Sequence, residues 1–177
     1  MTAIALPPRT GLPPAVAGPG PSEQLTQTAP WHIQDQLALI GSALPGVEVR
    51  PSFVCVPGTR AWHLAPTLAH GPTTSFLSRT EFGHIHPFYD GSLHLVLPPD
   101  LVRAVVEARW GRACTSFPQA VLVYGPRTDD EANLVWSLVR AAHRMAAGSA
   151  LRPRSSTWCP AWLPCRLVPD GNGTPAQ

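Results

Sequence analysis

The stretch EFGHIHPFYDGSLHLVL, running from Glu81 to Leu97, decides how this chain is read. It sets three histidines, a glutamate and an aspartate within the positions Glu81 to His94, in a chain only 14% charged. On either side of Pro87–Gly91 the residues alternate with a period of two, as strands do. Phe82, His84 and His86 then share one face of the first arm, and Ser92, His94 and Val96 one face of the second. If residues 87–91 close a hairpin with His86 opposite Ser92, His84 faces His94, with Cβ atoms about 4.5–5.5 Å apart. Three imidazoles on one patch of sheet are close enough to share a ligand, a metal ion or a proton. Glu81 falls on the opposite face unless a bulge at Gly83 turns it.

Working outward, Ile33, Leu37, Ile40 and Leu44 recur at helical spacing, and Pro45-Gly46 ends that helix. Val47–Val56 alternates like a strand and stops at Pro57-Gly58; Arg60–Leu64 is its partner, and Thr74–Ser78 is another short strand. After the hairpin, Pro98 and Pro99 open a helix with apolar positions Leu101, Val102, Val105, Val106 and Trp110. Gly111 stands where a glycine ends such a helix. Ala120–Tyr124 is a short apolar strand. Thr128-Asp129-Asp130-Glu131 is a capping box with acidic residues at a helix start, followed by a stripe of Leu134, Val135, Leu138, Val139 and Ala142 that runs to Gly148. Strands cluster in mid-chain, which predicts an α+β fold: an antiparallel sheet with helices mainly on one face, in a single domain. No glycine-rich phosphate loop is present.

The 177 residues are enough for one ordinary core. Seven prolines fall within residues 1–30 among Gly, Ala, Ser and Thr, so residues 1–28 are expected to be a disordered tail. Residues 29–148 form the expected α+β domain, and residues 149–177 an irregular C-terminal tail. A net charge of +2 with scattered arginines argues against nucleic acid as a partner. No apolar run reaches the roughly 20 residues of a membrane span, and the N-terminus lacks a secretory signal. A cytoplasmic protein, off the membrane, with a small-molecule substrate and capable of homo-oligomerisation, is the expectation. Cys55, Cys114, Cys159 and Cys165 are read as free thiols. The CPAWLPC segment has the alternatives of a small disulfide loop or two soft ligands, although its spacing is not that of a zinc knuckle.

The histidine patch carries the chemistry. In one reading, imidazoles with near-neutral pKa take a proton from an acidic enol or phenol and guide oxygen chemistry. In another, His84, His86 and His94 hold zinc, iron or copper with one position open. Each histidine taken singly also has a plainer reading, a partly buried ring bonded to a backbone carbonyl. Asp90 and Tyr89 in the turn are candidates to support the site or close over it. Arg127, at a strand end, is a candidate for an anionic group, as is Arg79. Trp110 is a packing anchor or a stacking platform. Cys114 and Ser92 rank low as nucleophiles, because no nucleophile elbow or reactive-cysteine pattern surrounds them.

Glu81-x-x-His84-x-His86, Asp90-Gly-Ser-Leu-His94, Trp110-Gly111 and Tyr124-Gly125-Pro126-Arg127 together resemble the fungal luciferase family, over roughly residues 45–147. Bacterial proteins of unknown role carry the same luciferase-like domain. The fungal enzymes oxidise a styryl-pyrone phenol with molecular oxygen through a peroxide that loses CO2, with no organic cofactor. The resemblance therefore implies an oxygenase using O2 alone, with His84, His86 and His94 as the catalytic patch. It further implies that Glu81 orients one imidazole and that Arg127 holds an anionic oxygen; Asp90, Tyr89 and Trp110 stand beside Arg127 as candidate substrate-binding residues from their positions in the chain. The fungal membrane-associated N-terminal extension and the histidine-containing insertion after Trp-Gly have no counterpart here. The resemblance thus implies another small phenolic or enolic metabolite, or a binding module that holds one without turnover.

Overall fold

A computed structural model describes residues 6–18, 22–115 and 117–148. Helix α1 (Trp31–Ser42) leads into strands β1 (Val47–Pro51) and β2 (Arg60–Leu64), then β3 (Glu81–Ile85) and β4 (Leu93–Val96). Helix α2 (Pro99–Glu107), strands β5 (Gly111–Ala113) and β6 (Ala120–Val123), and helix α3 (Asp129–Ala146) complete the order. The six strands form one antiparallel sheet in the order β1-β2-β3-β4-β6-β5, so the expected α+β architecture is what the chain adopts. Among the described residues no helix is long and apolar enough to cross a membrane.

Apolar side chains of Trp62, Phe82, Ile85, Leu93 and Leu95 meet Ile33 and Leu37 of α1 and Val135, Leu138 and Val139 of α3 in one core. The capping signal at Thr128 is realised: its Oγ1 accepts from Glu131 N at 3.3 Å. Glu131, however, turns its carboxylate to Arg127, accepting from that residue's backbone N at 2.8 Å and from its guanidinium.

Several boundaries differ from expectation. The strand expected over Val47–Val56 ends at Pro51, because Ser52 turns inward to bond Glu81, and residues 52–59 become a loop. Thr73–Ser75 is a 3-10 turn rather than a strand. Gly111 does not end α2; Arg109 takes the left-handed conformation there (φ 61°), and Gly111 opens β5, a strand the apolar pattern hides.

The N-terminal segment, expected as a disordered tail, lies against the domain over its described residues. Arg9 and Gln24 are 2% and 1% exposed. Trp110 Nε1 donates to the Pro7 carbonyl at 2.6 Å, and Arg112 reaches the carbonyls of Ala17 and Gly18. Proline's fixed φ lowers the entropy lost on ordering such a strap, so a few side-chain bonds suffice to hold it. Residues 149–177, with Cys159 and Cys165, lie outside the described residues.

One core histidine ties stability to pH. His143 on α3 meets the Phe82 ring edge at 5.6 Å and donates its Nε2–H to the Pro45 carbonyl at 3.0 Å. Burial lowers its pKa, and the carbonyl bond only partly opposes this. A folded pKa below the ordinary value of about 6.5 means the unfolded chain binds the proton more readily. The contribution of His143 is thus complete above about pH 6.5 and falls as the pH drops through that value. Urea unfolding at pH 7.5 and 5.5 is expected to show a larger loss on acidification for the wild type than for His143→Gln. Equal losses would overturn the assignment.

Candidate active site

The β3–β4 hairpin forms as the alternation predicts. His84 pairs with His94 across the ladder, and His86 N donates to Ser92 O at 2.9 Å. The turn is tied by Asp90 N and Gly91 N, both donating to the Pro87 carbonyl, with Gly91 at φ +69°.

Glu81 joins the same face through a defect in the sheet. Trp62 pairs with Gly83 but His63 pairs with Glu81, so Phe82 is an extra, unpaired residue. This bulge resets the alternation. Glu81 turns toward His84, and Phe82 goes to the helix side, where it stacks on Trp62 at 6.3 Å. Phe82 therefore does not share a face with His84 and His86, and the irregularity lies one residue before Gly83.

The three imidazoles converge. His84 Nε2 and His86 Nε2 each lie 3.1 Å from His94 Nδ1. Behind them, Glu81 Oε1 sits 2.6 Å from His84 Nδ1, and Asp90 Oδ2 sits 2.7 Å from His86 Nδ1. A carboxylate only accepts, so each of these Nδ1 atoms carries a proton. Both carboxylates are held in turn. Ser52 Oγ donates to Glu81 at 2.8 Å; Ser92 N at 2.8 Å and Gln24 N at 3.0 Å donate to Asp90. The N-terminal strap thus fixes the residue that orients His86.

A fourth donor comes from a cysteine read from the sequence as an ordinary thiol. Cys55, in the 52–59 loop, brings its Sγ to the ring nitrogens, and the donor atoms of Cys55, His84, His86 and His94 all lie within 4.8 Å of one another. Reading residues 47–56 as one strand concealed it; the flanking Pro51-Ser52 and Pro57-Gly58 pairs were the available loop signal. His63 was also missed. It is 4% exposed, edge-on to Phe53, with Nε2 3.9 Å from Glu81 Oε2.

The electrostatics follow from this packing. Burial pushes the Cys55 thiol up, but bonds from His84, His86 and His94 overcome it and bring the pKa to about 3. Burial disfavours charge on His86, yet Asp90 and Cys55 raise it to about 9. His84 is likewise raised against its burial by Cys55 and Glu81. His94 is lowered, by burial first and by its two imidazole neighbours. Asp90 is held below its usual range because His86 outweighs its burial.

The other expected site residues separate. Asp90 is fully buried behind His86 and bonds its Nδ1. Tyr89 is half exposed and rims a groove of about 300 Å³ with Trp31, Phe88, Pro57 and Pro87. Arg127 is engaged by Glu131 and by Thr10 and Gln27 of the strap. Trp110 is 4% exposed, with the Arg9 guanidinium 6.0 Å from its ring, so it acts as an anchor for the strap. Arg79 lies over Phe53. Ser92 is buried against His86, and Cys114 packs beside Val96 and Ala120.

The histidine-rich hairpin thus carries a cluster of carboxylate-backed imidazoles on a small antiparallel sheet. Residues 79–142 match the family model described as Luciferase domain, which supports a luciferase-like assignment for this stretch. The match contains His84, His86, His94, Glu81 and Asp90 but not Cys55. Comparison with curated proteins and with solved structures gave no match.

Proposed function

We propose that the chain is a luciferase-like enzyme that uses O2 to oxidise a small phenolic or enolic metabolite at the Cys55/His84/His86/His94 centre. The observation that carries this reading is the convergence of three imidazoles, two of them buried and backed by carboxylates, within the stretch that matches the luciferase family model. An enolate and a peroxide are both anionic, and a preorganised, water-poor site that supplies positive charge stabilises each. A groove of about 300 Å³, lined by chain neighbours of the donors rather than by the donors themselves, is of a size for a small ligand. One wall comes from the Cys55 loop at Pro57 and another from Pro87, next to His86. Trp31, Phe88 and Tyr89 offer aromatic faces there, and the Arg60–Asp35 pair offers polar contacts.

An oxygen electrode with a panel of enolic phenols and pyrones tests the proposal. Catalytic O2 uptake is expected with at least one compound, falling by about 100-fold or more in His94→Ala, on the scale of losing one oxyanion donor. His94 is only part-buried and its Nε2 has no partner among the described residues, but its Nδ1 faces His84 and His86, so circular dichroism and the urea midpoint of the variant are read beside its activity. Saturable binding of a panel member without O2 uptake would instead make the chain a binding module.

A further inference from the structure

We infer that Cys55 Sγ, His84 Nε2, His86 Nε2 and His94 Nδ1 together bind one first-row transition-metal ion of the iron–copper–zinc group. The inference uses the site described above but not the reaction assigned to it. Four donor atoms lie within 4.8 Å of one another, near enough to share one ion. The two nitrogen–nitrogen separations of 3.1 Å are close to the edge of a tetrahedron about 3.3 Å long that metal–nitrogen bonds of about 2.0–2.1 Å define.

Ring orientation leads to the same point. With Nδ1 of His84 and of His86 turned outward to Glu81 and Asp90, both Nε2 atoms face inward on one atom, His94 Nδ1, each at 3.1 Å. One cation serves these nitrogens and the sulfur at once.

The surroundings also have the form of a metal site. Ligating histidines donate their remote N–H to carboxylates, which fixes the tautomer and ring angle. His84 and His86 do so to Glu81 and Asp90, and those carboxylates are themselves held by Ser52, Ser92 and Gln24. The donor set contains nitrogen and sulfur and no carboxylate oxygen, which selects against magnesium and calcium. A bound ion of this kind supplies the positive charge that an anionic oxygen needs.

Elemental analysis of the untagged full chain, purified without chelators and then repleted with zinc, iron(II) or copper, is expected to give about one metal per chain. Cobalt(II) substitution is expected to give ligand-field bands of a four-coordinate site plus a sulfur-to-metal charge-transfer band. Cys55→Ser, a near-isosteric change on a loop, is expected to abolish that charge-transfer band. It should also weaken metal binding at least as much as the about 10–100-fold typical of losing a supporting partner. Glu81→Gln tests that supporting effect directly. Less than a tenth of an equivalent after repletion with all three metals would overturn the inference. So would full occupancy in a His84→Ala/His86→Ala protein whose circular dichroism is native. Metal is measured without substrate, so a failed oxygen assay and a failed metal assay are separate results.

Discussion

Glu81→Ala is expected to be the most damaging single change in the hairpin, lowering the free energy of unfolding by about 3 kcal/mol or more. The side chain is fully buried, and three groups depend on it: His84 Nδ1, Ser52 Oγ and, more weakly, Phe53 N at 3.4 Å. Each buried donor left without an acceptor costs about 1–3 kcal/mol, and an alanine leaves no group to replace it. The damage is also local in a readable way. Ser52 and Phe53 begin the loop that carries Cys55, so losing their anchor frees the thiol. Alkylation of Cys55 in the folded variant is expected to be faster than in the wild type. A urea midpoint within error of the wild type, with unchanged alkylation, would show that Glu81 is not the anchor.

Gly111→Ala is the second large effect, and it arises from sterics rather than charge. A Cβ at this position collides with the Leu122 carbonyl oxygen and reaches Val105 Cγ1 at 3.1 Å. The obstructing atom belongs to the backbone of β6, the strand to which Gly111 is itself paired, so it cannot rotate away. Overpacking of this sort costs about 1–3 kcal/mol and occasionally more. A domain of this size loses about 2–4 °C of melting temperature per kcal/mol. A fall of about 2–12 °C is expected by calorimetry. Gly18→Ala, with nothing within 4 Å of the added carbon, is the control and should not move the transition. Two superimposable transitions would refute the steric account.

The reason for Gly111 also shows where the sequence could be read and where it could not. As a glycine after an apolar helix it looked like a helix terminator, a local role. Its structural role, close approach to β6, depends on a neighbour in space and leaves no mark in local pattern. Periodicity worked where one element had one dry face: α1, α3 and the β3–β4 arms were all legible, down to the pairing of His84 with His94. It failed at Phe82, because a bulge is a miscount between two strands and neither strand shows it alone. Cys55 was missed for a related reason. Its function comes from a loop folding back over a sheet 29 positions onward, while its own neighbours read as an alternating strand. The N-terminal segment was misjudged on composition, since proline-rich chain has little to bury yet can still be pinned by a few partners such as Arg112 and Asp90.

The donors of the centre are divided between two hairpins. Three belong to β3–β4, and Cys55 belongs to the loop joining β1 to β2, with the strap holding Asp90 from a third direction. No part of the chain presents the whole set until those pieces have docked, so any ligand of the four atoms recognises the native state and has little hold on the unfolded one. Mass action then adds RT ln(1 + [L]/Kd) to stability, about 2.7 kcal/mol at a free ligand concentration a hundred times Kd. Foldedness and loading would rise and fall together. The amount of intact protein in a cell would therefore register the supply of whatever fills the site.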